Sequence, residues 1–366
     1  MQWHSTKLLL ALLLVLPYVV LFTAYCWWGE DQKHVSPAIQ RSAALAPRTP
    51  AAQRRGRHLA SYCNSHAHLR TGRQSSRDIM VSRPHRLAWC KIPKVASTSV
   101  VQSLLKVLGC ENLIEELGIS GQHTALRRLM PHLSADEQPP DASTTFMVVR
   151  HPFLRLISAY RDKIATKSGK MVMAQFQKFR RLYNMPIISK YRQQEPHDKF
   201  YKDVPTFPEF VQYLLETPVE DYNEHWRPYH VICRPCDVPY NVVLKLESLD
   251  EDIQTLVFIT GFPELAISKT HQSAAVIDEG LELRRASDLQ SNQHPENFST
   301  PPMENSERRE HRSNDSIELK SDESSALIKN FFSQLTTAQV WALFKKFEID
   351  FEMFLYSIDQ FVTVAS

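Results

Sequence analysis

The chain has 366 residues, and its 43 Lys and Arg against 40 Asp and Glu leave a formal net charge of +3. A charge so near neutral gives no reason to expect a nucleic acid partner. The length is enough for two domains, although the usable folded part is shorter once the N-terminal segments are set aside.

An uncharged apolar stretch runs from Leu8 to Trp28. As a helix, its 21 residues span about 30 Å, the thickness of the hydrocarbon core of a bilayer. A cleaved signal peptide is the competing interpretation, but the apolar region is long for one, and no clear small-x-small site precedes Glu30. The sequence therefore predicts a cytoplasmic tail over residues 1–7, a transmembrane signal anchor over residues 8–28 and a lumenal remainder.

Residues 29–86 are rich in Ala, Pro, Ser and Arg and show almost no apolar periodicity. A segment of this kind cannot bury enough apolar surface to offset the entropy that it loses on ordering. We therefore predict a flexible stem, followed by a folded lumenal domain over residues 87–366. The arginines of the stem face almost no acidic residues, so the stem is either a solvated spacer or a region that attracts a polyanionic glycan.

Disulfides persist in the lumen, where the sequence places Cys63, Cys90, Cys110, Cys233 and Cys236. Cys233 and Cys236 form a lone C-x-x-C, for which a disulfide role is predicted. A zinc site would need two more ligands at suitable spacing, and the sequence offers only scattered histidines. Five lumenal cysteines leave one over, and the spacing does not determine which residues pair.

A strand, a turn and a helix are predicted over residues 87–108. Residues 87–92 are apolar enough for a buried strand, and apolar residues recur at helical spacing from Thr98 onward. The turn between them carries Lys94, followed by three hydroxyl groups at Ser97–Ser99. A helix start offers unpaired amides and the positive end of a dipole, which favours a bound anion. An ordinary capped helix start is the alternative, because the glycines of a Walker loop are absent.

A second strand and helix of the same kind follow. Residues 144–149 are predicted to form another buried strand, and Pro152 suits the first position of the helix after it. The apolar residues of that helix can then face a sheet, whereas Arg150 stays at the end of the strand and near Ser158. The stretch therefore places a cation and a hydroxyl group together at a second helix start.

Further elements are predicted toward the C-terminus. Residues 207–215 form a short helix and residues 240–246 a third strand. Ser248–Glu251 and Thr336–Gln339 are capping boxes that each open a helix, and Gly261 closes the first of these helices. Three strands that each lead into a helix predict an α/β fold, with a P-loop-like parallel sheet flanked by helices in a single domain behind the membrane anchor.

A polar insertion is predicted over about residues 271–322, which contain few large apolar groups. Two Asn-x-Ser/Thr triplets lie within it, at Asn297 and Asn314. Exposed lumenal triplets of this kind are candidate glycosylation sites. Helical periodicity returns from residue 323 and continues almost to the end of the chain.

Two stretches resemble the Golgi carbohydrate sulfotransferases, the family of the chondroitin/dermatan 4-O- and HNK-1-type enzymes. Pro93–Ser99 is similar to the family's 5′-phosphosulfate loop, and Arg150–Ser158 is similar to its 3′-phosphate motif, in the same order along the chain. The Asn-Glu-His-Trp segment at residues 223–226 is also similar. The residue after Arg150 is usually acidic in the family, and here it is His151.

The resemblance covers about residues 85–274 and 323–357, and it implies a sulfotransferase fold with 3′-phosphoadenosine 5′-phosphosulfate (PAPS) as the donor. A transferring sulfuryl group carries less negative charge than a phosphoryl group, so no metal is expected. The donor-binding residues implied by the resemblance are Pro93, Lys94, Val95, Ala96, Ser97, Thr98, Ser99, Arg150, His151, Pro152, Phe153, Leu154, Arg155, Leu156, Ile157 and Ser158.

The resemblance also implies a division of roles. Lys94 would pair with the 5′-phosphate and the bridging oxygen, where charge develops, while Arg150 and Ser158 would hold the 3′-phosphate. The catalytic candidates are Lys94 and a base that accepts the proton of the acceptor hydroxyl. His225 is the first candidate for that base, because its ordinary pKa lies near neutrality, and Glu224 is the next. Alternatively, His225 only binds the acceptor or fills the structure.

The expected reaction is transfer of a sulfuryl group to a glycan, with the 4-hydroxyl of N-acetylgalactosamine in chondroitin or dermatan as the first candidate acceptor. A terminal glucuronate or N-acetylgalactosamine of a glycoprotein is the alternative. The resemblance places the protein in the Golgi membrane as a single-pass type II protein with a lumenal catalytic domain. The sequence does not determine its oligomeric state.

Two other classes of function remain open at this stage. A nucleotide kinase of the P-loop type would also use a strand, a lysine turn and a helix, but it should show a Gly-rich loop and an acidic metal ligand after a strand. A non-catalytic membrane glycoprotein would explain the anchor and the two glycosylation triplets. It would not explain the two phosphate motifs.

Overall fold

A computed structural model describes residues 49–72, 78–134, 137–166, 173–194, 196, 199–267 and 324–366. The predicted tail and anchor therefore lie outside the described residues, as do the insertion at 271–322 and both glycosylation triplets, Asn297 and Asn314. No helix within the described ranges is long and apolar enough to cross a membrane.

The fold combines four strands with helices on a mixed α/β plan. The strands are β1 (Ile79–Ser82), β2 (Leu87–Cys90), β3 (Thr144–Val149) and β4 (Val242–Lys245). The named helices are α1 (Ala51–Ser65), α2 (Ser97–Val107), α3 (Asn112–Glu116), α4 (Ile119–Leu129), α5 (Pro152–Ala159), α6 (Met173–Phe179), α7 (Met185–Tyr191), α8 (Phe207–Glu216), α9 (Tyr229–Cys233), α10 (Leu249–Thr260), α11 (Thr337–Phe354) and α12 (Asp359–Val364). Two π-helical turns, Tyr160–Ile164 and Arg180–Asn184, follow α5 and α6, and residues 324–332 are also helical.

The described chain divides into two compact units. The first contains the sheet, whose strand order is β1-β2-β3-β4. β2 pairs with β3 in parallel, with Leu87 opposite Thr144, which confirms the parallel pairing predicted for these two strands. β1 was not predicted, and it pairs with β2 in the antiparallel sense. The sheet is therefore mixed, with its antiparallel strand at one edge.

The prediction of a flexible stem over residues 29–86 is wrong for part of that range, because α1 and β1 lie within it. The buried stripe of α1 consists of small or medium side chains: Ala52, Gly56, Leu59 and Cys63. A Cβ on Gly56 would lie 2.5 Å from the carbonyl oxygen of Asn241, so α1 packs very closely against the start of β4. A stripe of such small residues does not stand out as apolar periodicity in the sequence.

Two disulfides join distant parts of the first unit. Cys63 pairs with Cys236 and Cys90 pairs with Cys233, across sequence separations of 173 and 143 residues. Both cysteines of the C-x-x-C are thus disulfide-bonded, each to a residue far away in the sequence and not to the other. Cys110 is buried and takes part in neither bond. Closing such long loops restricts the unfolded chain, which typically stabilises a fold by about 2–5 kcal/mol per disulfide.

The core of the second unit is rich in aromatic side chains. Helix α5 is buried nearly all round, and Phe153 stacks on Phe332 and lies edge-on to Phe351 and Phe361. The hydroxyl group of buried Tyr160 donates to the carbonyl oxygen of Pro205 at 2.8 Å. A helix that is buried on nearly every side is stable only inside a core. The packing of α5 in this core therefore fixes the positions of both ends of the helix.

One of the two predicted capping boxes is present at a helix start, and the other is not. Thr336 and Gln339 form the reciprocal box predicted for α11, and Thr206 and Glu209 form another at α8. The box predicted at Ser248–Glu251 is not formed. The Ser248 hydroxyl donates instead to a carboxylate oxygen of Asp252, which also accepts from the backbone N–H of Lys245. Gly261 ends α10 in the left-handed conformation, as predicted.

Candidate active site

The lysine turn between β2 and α2 has an uncommon backbone. Lys94 has a φ of 71° and Ala96 a φ of 60°, although neither residue is glycine. Such left-handed conformations cost about 1–3 kcal/mol each and persist where the surrounding structure holds them in place. The turn is therefore held in a fixed shape, which is a feature often found at binding and catalytic sites.

The ammonium group of Lys94 is paired with a carboxylate. Its Nζ lies 2.9 Å from Oδ2 of Asp162, and Nζ of Lys163 lies 3.1 Å from the same oxygen. Burial lowers the pKa of Lys94 below its ordinary value, Asp162 limits that fall, and Lys163 and Arg150 add to it. Burial tends to raise the pKa of Asp162, but the two lysines outweigh it and hold that pKa below the ordinary range. Asp162 was not among the predicted site residues.

The 150–158 segment divides into accessible and buried residues. Arg150 and Ser158 are partly exposed, at the start and near the end of α5. The Tyr229 hydroxyl holds the backbone of Arg150, since it accepts from the N–H at 3.0 Å and donates to the carbonyl at 2.8 Å. The apolar residues of this segment are buried in the core: Pro152, Phe153, Leu154, Leu156 and Ile157.

His151 caps α5. Its Nδ1 accepts a hydrogen bond from the N–H of Phe153 at 3.2 Å, and its Nε2 donates to the carbonyl oxygen of Ser357 at 2.8 Å. The ring is 5% exposed and stacks on Phe361. Both ring nitrogens are thus engaged inside the second unit. The implied role of His151 in donor binding is not supported, because the side chain serves the fold.

Arg155 joins two segments of the second unit through hydrogen bonds to backbone carbonyl groups. Its guanidinium group is 2% exposed and donates to the carbonyl oxygens of Pro93, Arg227 and Glu224, at 3.1, 2.8 and 3.0 Å. Three carbonyl acceptors satisfy most of the donors of this buried cation, which would otherwise be costly to bury. Arg155 therefore joins the lysine turn to the 224–227 segment, and these contacts give its side chain a role in the fold. A lone arginine in an apolar helix was the only sequence signal of this role.

His225 is a partly buried, neutral histidine within electrostatic range of Lys94 and Lys163. Burial, and next the charge of Lys163, lower its pKa to about 3. Its Nδ1 donates to Oδ1 of Asn223 at 2.6 Å, which leaves the lone pair on Nε2. Asn223 in turn donates through Nδ2 to the Tyr183 hydroxyl at 3.1 Å. This arrangement holds one tautomer of the ring, in the form that accepts a proton through Nε2.

Glu224, the second candidate base, has an exposed side chain. The group that it contributes to the cluster is its backbone carbonyl, which accepts from Arg155 at 3.0 Å. The two candidates thus differ in exposure, since Glu224 is exposed and His225 is partly buried.

The three hydroxyl groups of the lysine motif lie in the first unit, at the start of α2. Ser97 and Thr98 are partly exposed, and Ser99 is buried. Thr98 Oγ1 lies 3.4 Å from Nε2 of His123. The pKa of His123 is lowered to about 4, first by burial and next by the charge of Lys91. Across the described ranges, no group of three or more His, Cys, Asp or Glu residues is placed to hold a metal ion.

These features define a class of protein. Lys94 follows β2 and Arg150 follows the parallel strand β3, and the carboxyl ends of adjacent parallel strands are where α/β proteins bind phosphorylated ligands. Both cations lie in the second unit with a neutral histidine able to accept a proton. Two cations at such an edge are typical of an α/β protein that binds a phosphorylated ligand.

Comparison with known proteins identifies the family. A profile of the sulfotransferase family matches residues 77–357, so the chain belongs to that family. It is 32% identical over 190 residues to carbohydrate sulfotransferase 14 of Danio rerio, covering 51% of this chain and 49% of that protein. It is 29% identical over 192 residues to carbohydrate sulfotransferase 11 of Rattus norvegicus (50% and 53%), and 30% identical over 200 residues to carbohydrate sulfotransferase 10 of Xenopus laevis (51% and 54%).

These matches confirm the resemblance seen in the two motifs. The chain spans about half the length of the curated relatives that it matches. No solved structure matches it. The family match favours a sulfotransferase over the alternatives of a nucleotide kinase and a non-catalytic glycoprotein.

Proposed function

We propose that the protein transfers a sulfuryl group from PAPS to a hydroxyl group of a glycan. The observation that carries this proposal is the fixed lysine turn of a sulfotransferase-family chain, with the Lys94 ammonium group held by Asp162 and within electrostatic range of Arg150 and His225. PAPS would supply the sulfuryl group and an anionic leaving group. Residues of this chain would bind the donor, stabilise the leaving group and accept the proton of the acceptor hydroxyl.

The proposed donor contacts are fewer than the two motifs suggest. Lys94 binds the 5′ side of the donor and stabilises the charge that develops on the leaving group. Ser97 and Thr98 offer partly exposed hydroxyl groups and the amides of a helix start. Arg150 and Ser158 bind the 3′-phosphate, which distinguishes this donor from ATP. His151 and Arg155 support the helix and the lysine turn respectively.

His225 is the proposed base. With Nδ1 bound to Asn223, its Nε2 accepts the proton of the acceptor hydroxyl as that oxygen attacks the sulfur. A low pKa makes the ring a weak base but keeps it neutral at all physiological pH values. The nearby ammonium groups of Lys94 and Lys163 would also favour the developing alkoxide.

The acceptor that we propose first is N-acetylgalactosamine of chondroitin or dermatan, sulfated at its 4-hydroxyl, as the motif resemblance implies. A terminal glucuronate or N-acetylgalactosamine of a glycoprotein is the second candidate. The names of the relatives state only that they act on carbohydrate. We further propose the Golgi membrane as the location, from the apolar stretch at residues 8–28 and the same resemblance.

One experiment tests both donor and acceptor. The full-length protein is incubated with PAPS labelled with radioactive sulfur and a panel of desulfated chondroitin, dermatan and terminal-glucuronate glycans. Label in the chondroitin or dermatan products, located at the 4-hydroxyl by disaccharide analysis, is expected. Label only in terminal-glucuronate products would support the second acceptor. Transfer to none of these glycans, by protein that is folded and binds PAPS, would contradict the proposal.

A further inference from the structure

Asp162 is placed where a carboxylate is unexpected. It lies on the π-helical turn Tyr160–Ile164, directly after α5. Its Oδ2 contacts the ammonium groups of both Lys94 and Lys163, at 2.9 and 3.1 Å. π-Helical turns are rare, and they occur frequently at functional sites. Here the turn brings one carboxylate between two lysines.

A negative charge beside an anion site weakens the binding of an anion. At about 4 Å, like charges near a protein surface repel by several kcal/mol before screening by salt. Asp162 therefore works against donor affinity, and a role in donor binding does not explain it. A role as the base is also disfavoured, because Lys94 and Lys163 hold the pKa of Asp162 below the ordinary range.

Asp162 stabilises the charged form of Lys94. A lysine has a flexible four-carbon side chain and loses its charge readily when buried. The Lys94 side chain is only 16% exposed, and burial lowers its pKa. Lys163 and Arg150 repel the Lys94 ammonium group and lower its pKa, whereas the carboxylate of Asp162 raises it. The carboxylate also gives the ammonium group a fixed hydrogen-bond partner.

We propose that Asp162 is a positioning residue of the sulfotransfer site, whose carboxylate holds the Lys94 ammonium group in place beside Lys163 and keeps it charged. The inference rests on the proposed sulfotransferase function, in which the charge of Lys94 stabilises the leaving group. It assigns no contact between Asp162 and either substrate. Asp162 thus opposes donor binding and favours turnover, which is a combination that a purely structural residue does not produce.

The first test measures the charge of Lys94 without an activity assay. The full-length wild type and Asp162→Asn are trace-acetylated with acetic anhydride at a series of pH values, and the peptide that carries Lys94 is quantified by mass spectrometry. Only the neutral amine reacts, so the titration midpoint reports the pKa of Lys94. We expect a lower midpoint in Asp162→Asn than in the wild type. Exposed Lys345, paired with Glu348, is the internal reference and should not change.

The matched control is Asp203→Asn, which removes an exposed carboxylate that is paired with Arg180 and not with Lys94. Its Lys94 midpoint should equal that of the wild type. An unchanged Lys94 midpoint in Asp162→Asn would overturn the inference. If Asp162→Asn does not fold, Asp162→Glu retains the charge at altered reach and should give a midpoint nearer to that of the wild type than to that of Asp162→Ala.

The second test separates binding from turnover. In Asp162→Asn, donor affinity by calorimetry should equal or exceed that of the wild type, whereas kcat should fall about 10- to 100-fold because Lys94 is less well placed. The alkaline limb of the kcat profile should move to lower pH. The charged groups that face His225 are Lys163, Asp162, Lys94 and Arg155, so the acid limb should also move to lower pH on losing Asp162.

The two tests distinguish failure of the inference from failure of the proposed function. Weaker donor binding with unchanged kcat, or a pH profile like that of the wild type, would overturn the role of Asp162 while sulfotransfer stands. If wild-type protein transfers no sulfate although its Lys94 midpoint depends on Asp162, the ion pair is established but the proposed function fails, and the inferred role in turnover fails with it.

Discussion

The lysine turn and the arginine helix, the two stretches that resemble phosphate motifs, are built in different ways. Lys94 lies on a short turn with two left-handed residues, and its ammonium group is held by Asp162. Arg150 lies just before a helix, and the seven residues that follow it, 151–157, are all buried. One motif places its functional group by backbone shape and an ion pair, and the other by burying the helix behind that group.

The comparison shows that a similar motif does not mean that every residue of it contacts a ligand. In the arginine helix, His151 caps the helix and Arg155 holds the lysine turn through the Pro93 carbonyl. The second motif therefore supports the first. Substitutions should separate residues that act on the reaction from residues that act on the fold.

The largest effect is expected at the lysine turn. Lys94→Ala should lower the rate of the transfer step about 100- to 1,000-fold at saturating PAPS, because it removes a preorganised charge at the leaving group. Single-turnover kinetics measure this step. The control is Lys190→Ala, which removes an exposed lysine paired with Glu216 and should leave the rate unchanged. A Lys94→Ala rate within threefold of the wild type would contradict the role of the turn.

His225→Ala should have the next largest effect, a fall in turnover of about 100-fold or more with donor affinity unchanged. The pH dependence gives a second measurement. The pKa of His225 is about 3, so the ring is neutral above that pH and gains a proton only below it. Protonation of His225 should therefore not slow the wild type between pH 5 and 8. A fall in rate across that range that disappears in His225→Ala would show a different pKa in the working enzyme.

Arg150→Ala should act mainly on binding and so sharpen the contrast with Lys94. Losing a charged contact to a phosphate that does not react costs about 1.5–3 kcal/mol, which is roughly a ten- to over hundredfold loss of affinity. Calorimetry with PAPS, and with its analogue that lacks the 3′-phosphate, measures the effect. The wild type should prefer PAPS and the variant should not. If both proteins preferred PAPS over the analogue to the same extent, Arg150 would not be a contact of the 3′-phosphate.

The smallest effect is expected at His151. Asparagine is a good N-cap, so His151→Asn should keep the bond to the Phe153 N–H while losing the contact with Ser357. Thermal unfolding should show a modest loss of stability, and calorimetry should show donor affinity within about threefold of the wild type. A tenfold or greater loss of donor affinity in a variant that stays folded would make His151 a donor contact after all.

Local sequence signals determined much of the fold. Apolar runs predicted β2, β3 and β4 within a few residues, and Thr336 with Gln339 predicted the start of α11. Gly261 predicted the end of α10, because a left-handed residue there is cheapest for glycine. The order and spacing of two short motifs predicted the family. Each of these signals depends on residues that are neighbours in the chain.

The tertiary structure decided what depends on distant partners. α1 gains its place from small residues packed on the start of β4 and from a disulfide to Cys236, 173 residues away from Cys63. Asp162 reaches Lys94 because a π-helical turn follows α5, and no pattern in the sequence marks that turn. Periodicity reports which residues are buried, but the partner of a buried or charged group is fixed only when the chain folds. The sequence alone thus identified the lysine and the arginine, while the carboxylate that holds the lysine emerged from the fold.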